Sequence, residues 1–218
     1  MRVQSDTELV SYQDWTVRIR ASTQVPARLL LLVHGWTGDE NSMWVFVHNF
    51  PQNRWIIAPR APYATKPSGY SWRPLPAEDH DRPTLDNLKP AVDPLMSFVD
   101  SYAADNRLDA AQFDAMGFSQ GAGLVAATAL LHPDRMNRVG LLAGFVPPGA
   151  EALAGEHSLE GKPMFVAHGT LDERVDIAYA RRSVQILRQA GADVTYCEDE
   201  VGHKLSVKCL HMLEAFFT

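Results

Sequence analysis

Ser119, Asp172 and His203 are three residues whose types and order suit one kind of chemistry, acyl transfer through a serine. Ser119 stands in Gly117-Phe118-Ser119-Gln120-Gly121, a G-x-S-x-G sequence. Phe113-Asp114-Ala115-Met116 before it can be a buried strand. The Ala/Leu-rich run Ala122–Leu131 after it can be a buried helix. A strand, a turn too sharp for side chains and then a helix would push Ser119 into a strained, exposed position. The flanking glycines remove the Cβ atoms that would clash there. The helix N-terminus offers unpaired N–H groups and the positive end of a dipole. A serine hydroxyl is a poor nucleophile and needs a base to take its proton. Imidazole titrates near neutrality and can accept that proton and return it to the leaving group. A carboxylate behind the imidazole fixes its tautomer and steadies the imidazolium.

Seven other histidines compete with His203. His48, His80, His132, His157 and His211 fall on expected helices or polar loops. His34 and His168 each precede a glycine at a strand end, where bracing the loop is the expected role. His203 alone follows the last strand, in the turn Val201-Gly202-His203-Lys204. For the acid, Asp172 directly follows a strand-end turn. Glu173 and Asp176 lie close by, and Asp176 suits a helix N-cap. An oxyanion hole needs backbone N–H donors aimed at the developing negative oxygen. Gln120, after the nucleophile, should give one, and Trp36, after His34-Gly35, the other. Trp36, Tyr70, Trp72, Phe145 and Val146 are candidates to line a substrate pocket. Phe118 is expected to cover the sheet.

These residues need a scaffold that brings strand ends together, and strand-like and helix-like segments alternate along the chain. The pattern predicts an α/β fold, a mostly parallel sheet with helices on both faces. Leu9–Tyr12 and Trp15–Ile19 read as an opening pair turning at Gln13-Asp14. Leu29–Val33 is a continuous apolar run, as in a strand buried on both faces. Met43, Phe46, Val47 and Phe50 recur at helical spacing. Trp55–Ala58 is the next strand. Pro59 to Pro94 holds eight of the fourteen prolines and reads as an irregular loop with a short helix near Leu85–Lys89. Asp93 then looks like an N-cap with Pro94 first in the helix. Val139–Ala143, Met164–Ala167 and Val194–Cys197 are further strands, Phe145–Gly161 a loop, and Asp176–Ala190 and Ser206–Phe217 helices. Each of the three catalytic candidates thus sits just past a strand's C-terminal end, where sites form in open α/β sheets. One domain over residues 1–218 is expected, with every connection past Gly121 too short for a large cap.

Composition narrows the partners. The chain has 218 residues, 46% hydrophobic and 21% charged, and a net charge of −6. Without a basic stripe, nucleic acid is not an expected partner. The N-terminus lacks an apolar core of signal-peptide length, and no run is long enough to span a bilayer. Cys197 and Cys209 cannot form a disulfide framework and lack zinc-site neighbours. A reduced, cytoplasmic protein without metal is expected.

Leu32-Val33-His34-Gly35-Trp36-Thr37-Gly38, Ala58-Pro59-Arg60-Ala61-Pro62, Gly117–Gly121, His168-Gly169-Thr170-Leu171-Asp172 and Gly202-His203 occur in that order. With them the chain resembles the phospholipase/carboxylesterase group of α/β hydrolases, which includes acyl-protein thioesterases and small bacterial carboxylesterases. The resemblance implies an α/β-hydrolase fold and a cofactor-free serine hydrolase acting on small-molecule carboxylic esters or thioesters. It also implies that Ser119, Asp172 and His203 carry the chemistry, and it leaves a homodimer open. The segments Tyr63–Arg82 and Phe145–Gly161 carry no distinctive match, so the acyl-binding features of the thioesterases are not placed. An open cleft suits short or medium acyl esters. A thioesterase or lysophospholipase shares the same chemistry, and a non-catalytic binding protein would have no need of the three groups in order.

Overall fold

A computed structural model of the chain describes residues 6–74, 83–154 and 158–218. His80, His157 and the end of the Tyr63–Arg82 segment lie outside the described residues. The chain opens with the antiparallel strands Glu8–Tyr12 (β1) and Trp15–Arg20 (β2). They turn at Gln13, which takes φ of 51°. Arg28–Val33 (β3) then pairs in parallel with Arg54–Pro59 (β4) on one side. On its other side it pairs in parallel with the later strand Phe113–Phe118 (β7). Between these come the short strands Tyr63–Ala64 (β5) and Tyr70–Ser71 (β6), which form a small sheet of their own. Met136–Leu142 (β8), Pro163–Gly169 (β9) and Asp193–Asp199 (β10) complete one sheet in the order β1-β2-β4-β3-β7-β8-β9-β10. From β4 to β10 every pairing is parallel.

Parallel strands need long crossovers, and these are helical. They are Leu85–Asp105 (α1), Gln120–Leu131 (α2), Glu151–Ala154 (α3), Ile177–Gln189 (α4) and Val207–Phe217 (α5). The sheet separates two apolar clusters, which explains the unbroken run in β3. Leu29, Leu31 and Val33 point toward α1, α2 and α4, packing with residues such as Leu95, Val125 and Leu187. Leu30 and Leu32 point the other way, toward Met43, Leu213 and Phe217. Period-two alternation feeds one core on each face. Helix α2 is buried from Gln120 through Leu130, and its all-round apolar sequence fits a helix without a solvent face. Among the described residues no cap is inserted above the strand ends, and no helix is long and apolar enough to cross a membrane.

Several local expectations are corrected. The Met43–Phe50 periodicity yields only a short 3-10 turn, Ser42–Phe46. Helix α1 does not begin at Asp93. Thr84 caps it in a reciprocal box with Asn87, and Pro90 and Pro94 lie inside it. Each proline removes an internal hydrogen bond. Leu88, Val92, Leu95, Phe98 and Val99, all buried on this helix, outweigh that loss. Cys197 and Cys209 are not free thiols but a disulfide joining the end of β10 to the first turn of α5. Helix α5 packs on β10 and brings the two sulfurs together. With the disulfide closed, the thiols no longer argue for a reducing compartment.

Candidate functional site

Ser119 occupies the junction of β7 and α2 with φ of 53° and ψ of −117°, a region that L side chains rarely occupy. Its N–H donates to Leu142 O at 2.9 Å, and its carbonyl accepts from Gly123 N at 3.2 Å, so both neighbouring elements hold the turn. Two glycines make the turn sterically feasible. A Cβ on Gly121 would come within 2.2 Å of Val33 O, and one on Gly117 within 2.2 Å of Gly121 O.

Asp172 and His203 approach from the ends of β9 and β10. His203 Nδ1 lies 2.7 Å from Asp172 Oδ2. The other carboxylate oxygen, Oδ1, accepts from Arg174 N at 2.9 Å and from Val175 N at 3.0 Å. Burial works to raise the Asp172 pKa, but the bonds from Val175 N–H, His203 and Arg174 N–H outweigh it and hold the group below the usual carboxylate range. An ionised Asp172 accepts only, so Nδ1 of His203 is the donor in this bond, and Nε2 is the nitrogen left to exchange a proton. His203 and Ser119 face the same cavity of about 610 Å³. The Phe118 ring lies 4.9 Å from the His203 ring and packs beside Phe46.

His168 braces this arrangement. Its Nε2 is 2.7 Å from Val175 O and 3.2 Å from Asp172 Oδ2, and its Nδ1 is buried without a partner. A carbonyl oxygen can only accept, so the proton sits on Nε2. A second proton on Nδ1 would be buried and unbonded, and burial accordingly pushes the His168 pKa down. His34 has the complementary tautomer. Its Nε2 accepts from Ala61 N at 3.0 Å, and its Nδ1 therefore donates to Gly35 O at 2.8 Å. Gly38 N also donates to Gly35 O, at 3.0 Å. In a trans peptide the C=O and N–H point in opposite directions. Anchoring Gly35 O to His34 and Gly38 thus turns the Trp36 N–H the other way. Gln120, as first residue of α2, has an N–H without an intrahelical acceptor. Both expected oxyanion donors border the cavity that holds Ser119.

The structure brings Trp36 and Phe145 to the cavity, but not Tyr70, Trp72 or Val146. Trp72 is 1% exposed and points inward, its Nε1 donating to His34 O at 2.8 Å. Tyr70 lies under the Arg60 guanidinium instead, and Val146 is buried in the core. Phe118, expected to cover the sheet, does line the cavity, with Met43, Val45 and Phe46. Arg73 and Arg174 line it as well. Neither arginine has a sequence signal beyond following an aromatic residue or the acid. Among the described residues no cluster of His, Cys, Asp and Glu could hold a metal ion.

Residues 16–218 match the family model described as phospholipase/carboxylesterase. Acyl-protein thioesterase 1 of Cryptococcus neoformans is 29% identical over 170 residues, covering 72% of this chain and 68% of that protein. The crystal structure of esterase PE8 superposes with a TM-score of 0.79 at 26% identity, covering 91% of this chain and 95% of that one. A carboxylesterase from Mesorhizobium loti gives a TM-score of 0.82 at 19% identity, covering 98% and 99%, a likeness of fold. A parallel sheet carrying a strained serine at the end of β7, matched along nearly its whole length, places the chain in the phospholipase/carboxylesterase family of α/β hydrolases, and it is an ester hydrolase.

Proposed function

We propose that the protein cleaves carboxylic esters of small or medium acyl chains through Ser119, His203 and Asp172. The observation that carries the reading is the 2.7 Å Asp172–His203 hydrogen bond, which leaves His203 Nε2 as base in the cavity of Ser119. Ser119 Oγ attacks the ester carbonyl carbon while His203 Nε2 takes its proton. The carbonyl oxygen, now negative, is held by the Trp36 and Gln120 N–H groups. As the tetrahedral intermediate collapses, the imidazolium passes its proton to the departing alcohol oxygen, leaving an acyl-Ser119. Water then attacks, His203 takes its proton, and the acid departs as the proton returns to Ser119.

A cavity of about 610 Å³ with Phe46, Phe118 and Val45 in its walls supports a short or medium acyl group. The thioesterase relative supports a second reading, in which the leaving group is a thiol. The same residues would act in the same order.

The test is initial rates on p-nitrophenyl esters of two to sixteen carbons, with a Ser119→Ala control and fluorophosphonate labelling. Hydrolysis and labelling that both vanish in Ser119→Ala are expected, with the rate maximum at eight carbons or fewer. A maximum at twelve or more would overturn the small-substrate reading. No labelling of Ser119 would leave a hydrolase fold used for binding.

A further inference from the structure

We infer that Trp72 and the side chain of Gln120 are positioning residues that hold the two oxyanion donors, the Trp36 and Gln120 N–H groups, in register with each other. This rests on the proposed function, which gives those N–H groups their task. The donors stand on different elements. Gln120 begins α2, and Trp36 lies in the loop of residues 34–38 that follows β3. Among the described residues no hydrogen bond joins that loop directly to Ser119 or Gln120. Gly121 lies close against the Val33 and His34 carbonyls. Such packing limits how near the loop and the elbow come, whereas a hydrogen bond is directional and fixes how a peptide is turned.

The directional link runs through the segment of residues 61–72, which clasps the loop from both of its ends. Ala61 N donates to His34 Nε2 at 3.0 Å. Thr37 N donates to Tyr70 O at 3.0 Å, and Tyr70 N to Gly38 O at 2.9 Å. Trp72 Nε1 donates to His34 O at 2.8 Å, and the two rings lie 5.2 Å apart. One side chain then fastens this clasp to the elbow. Gln120 Oε1 accepts from Trp72 N at 3.0 Å, and Gln120 Nε2 donates to Ser71 Oγ at 3.1 Å. Both Gln120 and Trp72 are buried, so water does not compete for these bonds. Trp72 is the joint. Its backbone N–H is held by the residue that carries one donor, and its indole N–H holds the loop that carries the other. A turn of that loop would take the Trp36 N–H away from the developing negative oxygen, and a misplacement of about 1 Å can cost roughly a hundredfold in rate. His203 has no place in this chain of bonds, so breaking it should weaken the hold on the oxyanion and leave the base untouched.

The experiment breaks the link at each end and measures p-nitrophenyl butyrate hydrolysis against pH. Trp72→Phe keeps an aromatic ring and loses the indole N–H. Gln120→Met keeps the backbone donor and the side-chain length and loses both amide bonds. Each should lower kcat about tenfold or more, short of the hundredfold to thousandfold cost of removing a donor outright, with KM little changed. The midpoint of the pH profile should stay where it is in the wild type. Because the two bonds lie in series, the double variant should be no slower than the slower single one, whereas independent damage would multiply. Trp15→Phe is the packing control, since Trp15 lies against the Trp72 ring at 6.4 Å; it should lower the melting temperature and leave kcat within about twofold. A kcat within about twofold of wild type in Gln120→Met, multiplied losses in the double variant, or a displaced pH midpoint overturns the inference. If Trp72→Phe does not fold, Gln120→Met decides alone. Hydrogen exchange gives a readout without turnover. In Gln120→Met the Thr37 amide, bonded to Tyr70 O and remote in sequence from the change, should exchange faster. A wild type that neither cleaves esters nor labels at Ser119 sinks the proposed function alone, and exchange then decides: a faster Thr37 amide upholds the link between loop and elbow, and an unchanged one refutes it.

Discussion

At Asp172 one carboxylate serves several donors at once: two backbone N–H groups on Oδ1, and His203 on Oδ2 with His168 close by. The loop that presents the acid is therefore folded around it. Asp172→Asn should cost more than a charge, since an amide can present an N–H where His203 needs an acceptor. A loss of roughly a thousandfold or more in kcat is expected, with KM little changed. Steady-state rates on the best p-nitrophenyl ester would check it, and a silent variant would transfer the acid's role to Glu173 or Asp176. The three catalytic candidates were legible in the sequence because each follows a strand and their order is constrained. The cavity lining was less so. Trp72 and Arg73 are adjacent, and only the hydrogen bond from Trp72 to His34 O decides that the indole turns inward. No periodicity encodes that choice in a loop.

At the scale of elements, local rules and packing compete. Prolines at 90 and 94 suggest that a helix starts late, but the Thr84–Asn87 box starts it ten residues before Pro94 and the apolar face carries it through. Thr84→Ala should thus lower stability by about 1 kcal/mol, measured by urea unfolding, whereas a helix beginning at Asp93 would not respond. The Cys197–Cys209 bridge was not legible, because two cysteines separated by 12 residues become neighbours only when α5 folds back on β10. It closes the segment that carries His203. Replacing both cysteines by serine should destabilise the protein by roughly 3 kcal/mol, from the loop released in the unfolded chain. It should also reduce kcat by loosening His203. Thermal unfolding and rates with and without dithiothreitol test both effects, and an unchanged melting temperature would remove the bridge from the account.

Across the whole molecule, two buried imidazoles couple folding to pH. Burial holds both His34 and His168 below the usual histidine range. In the unfolded chain they regain a pKa near 6.5 and bind protons more readily. Stability should then be fully present above about pH 6.5 and fall as the pH drops below it. The melting temperature should decline from pH 7.5 to pH 5, before the carboxylates Asp39, Glu40 and Asp172, whose pKa values are also lowered, add their own loss in stronger acid. A flat profile over that interval would contradict the neutral assignment of both rings. The sheet that frames these groups was the most legible part of the chain, since runs such as Leu29–Val33 admit few other fates. The turn at Ser119 has a different implication for anyone selecting variants of this protein. Its backbone conformation suits glycine, and a serine held there costs about 1–3 kcal/mol. A library screened only for heat resistance should therefore drift toward Ser119→Gly, enriching sturdier molecules that no longer turn over substrate.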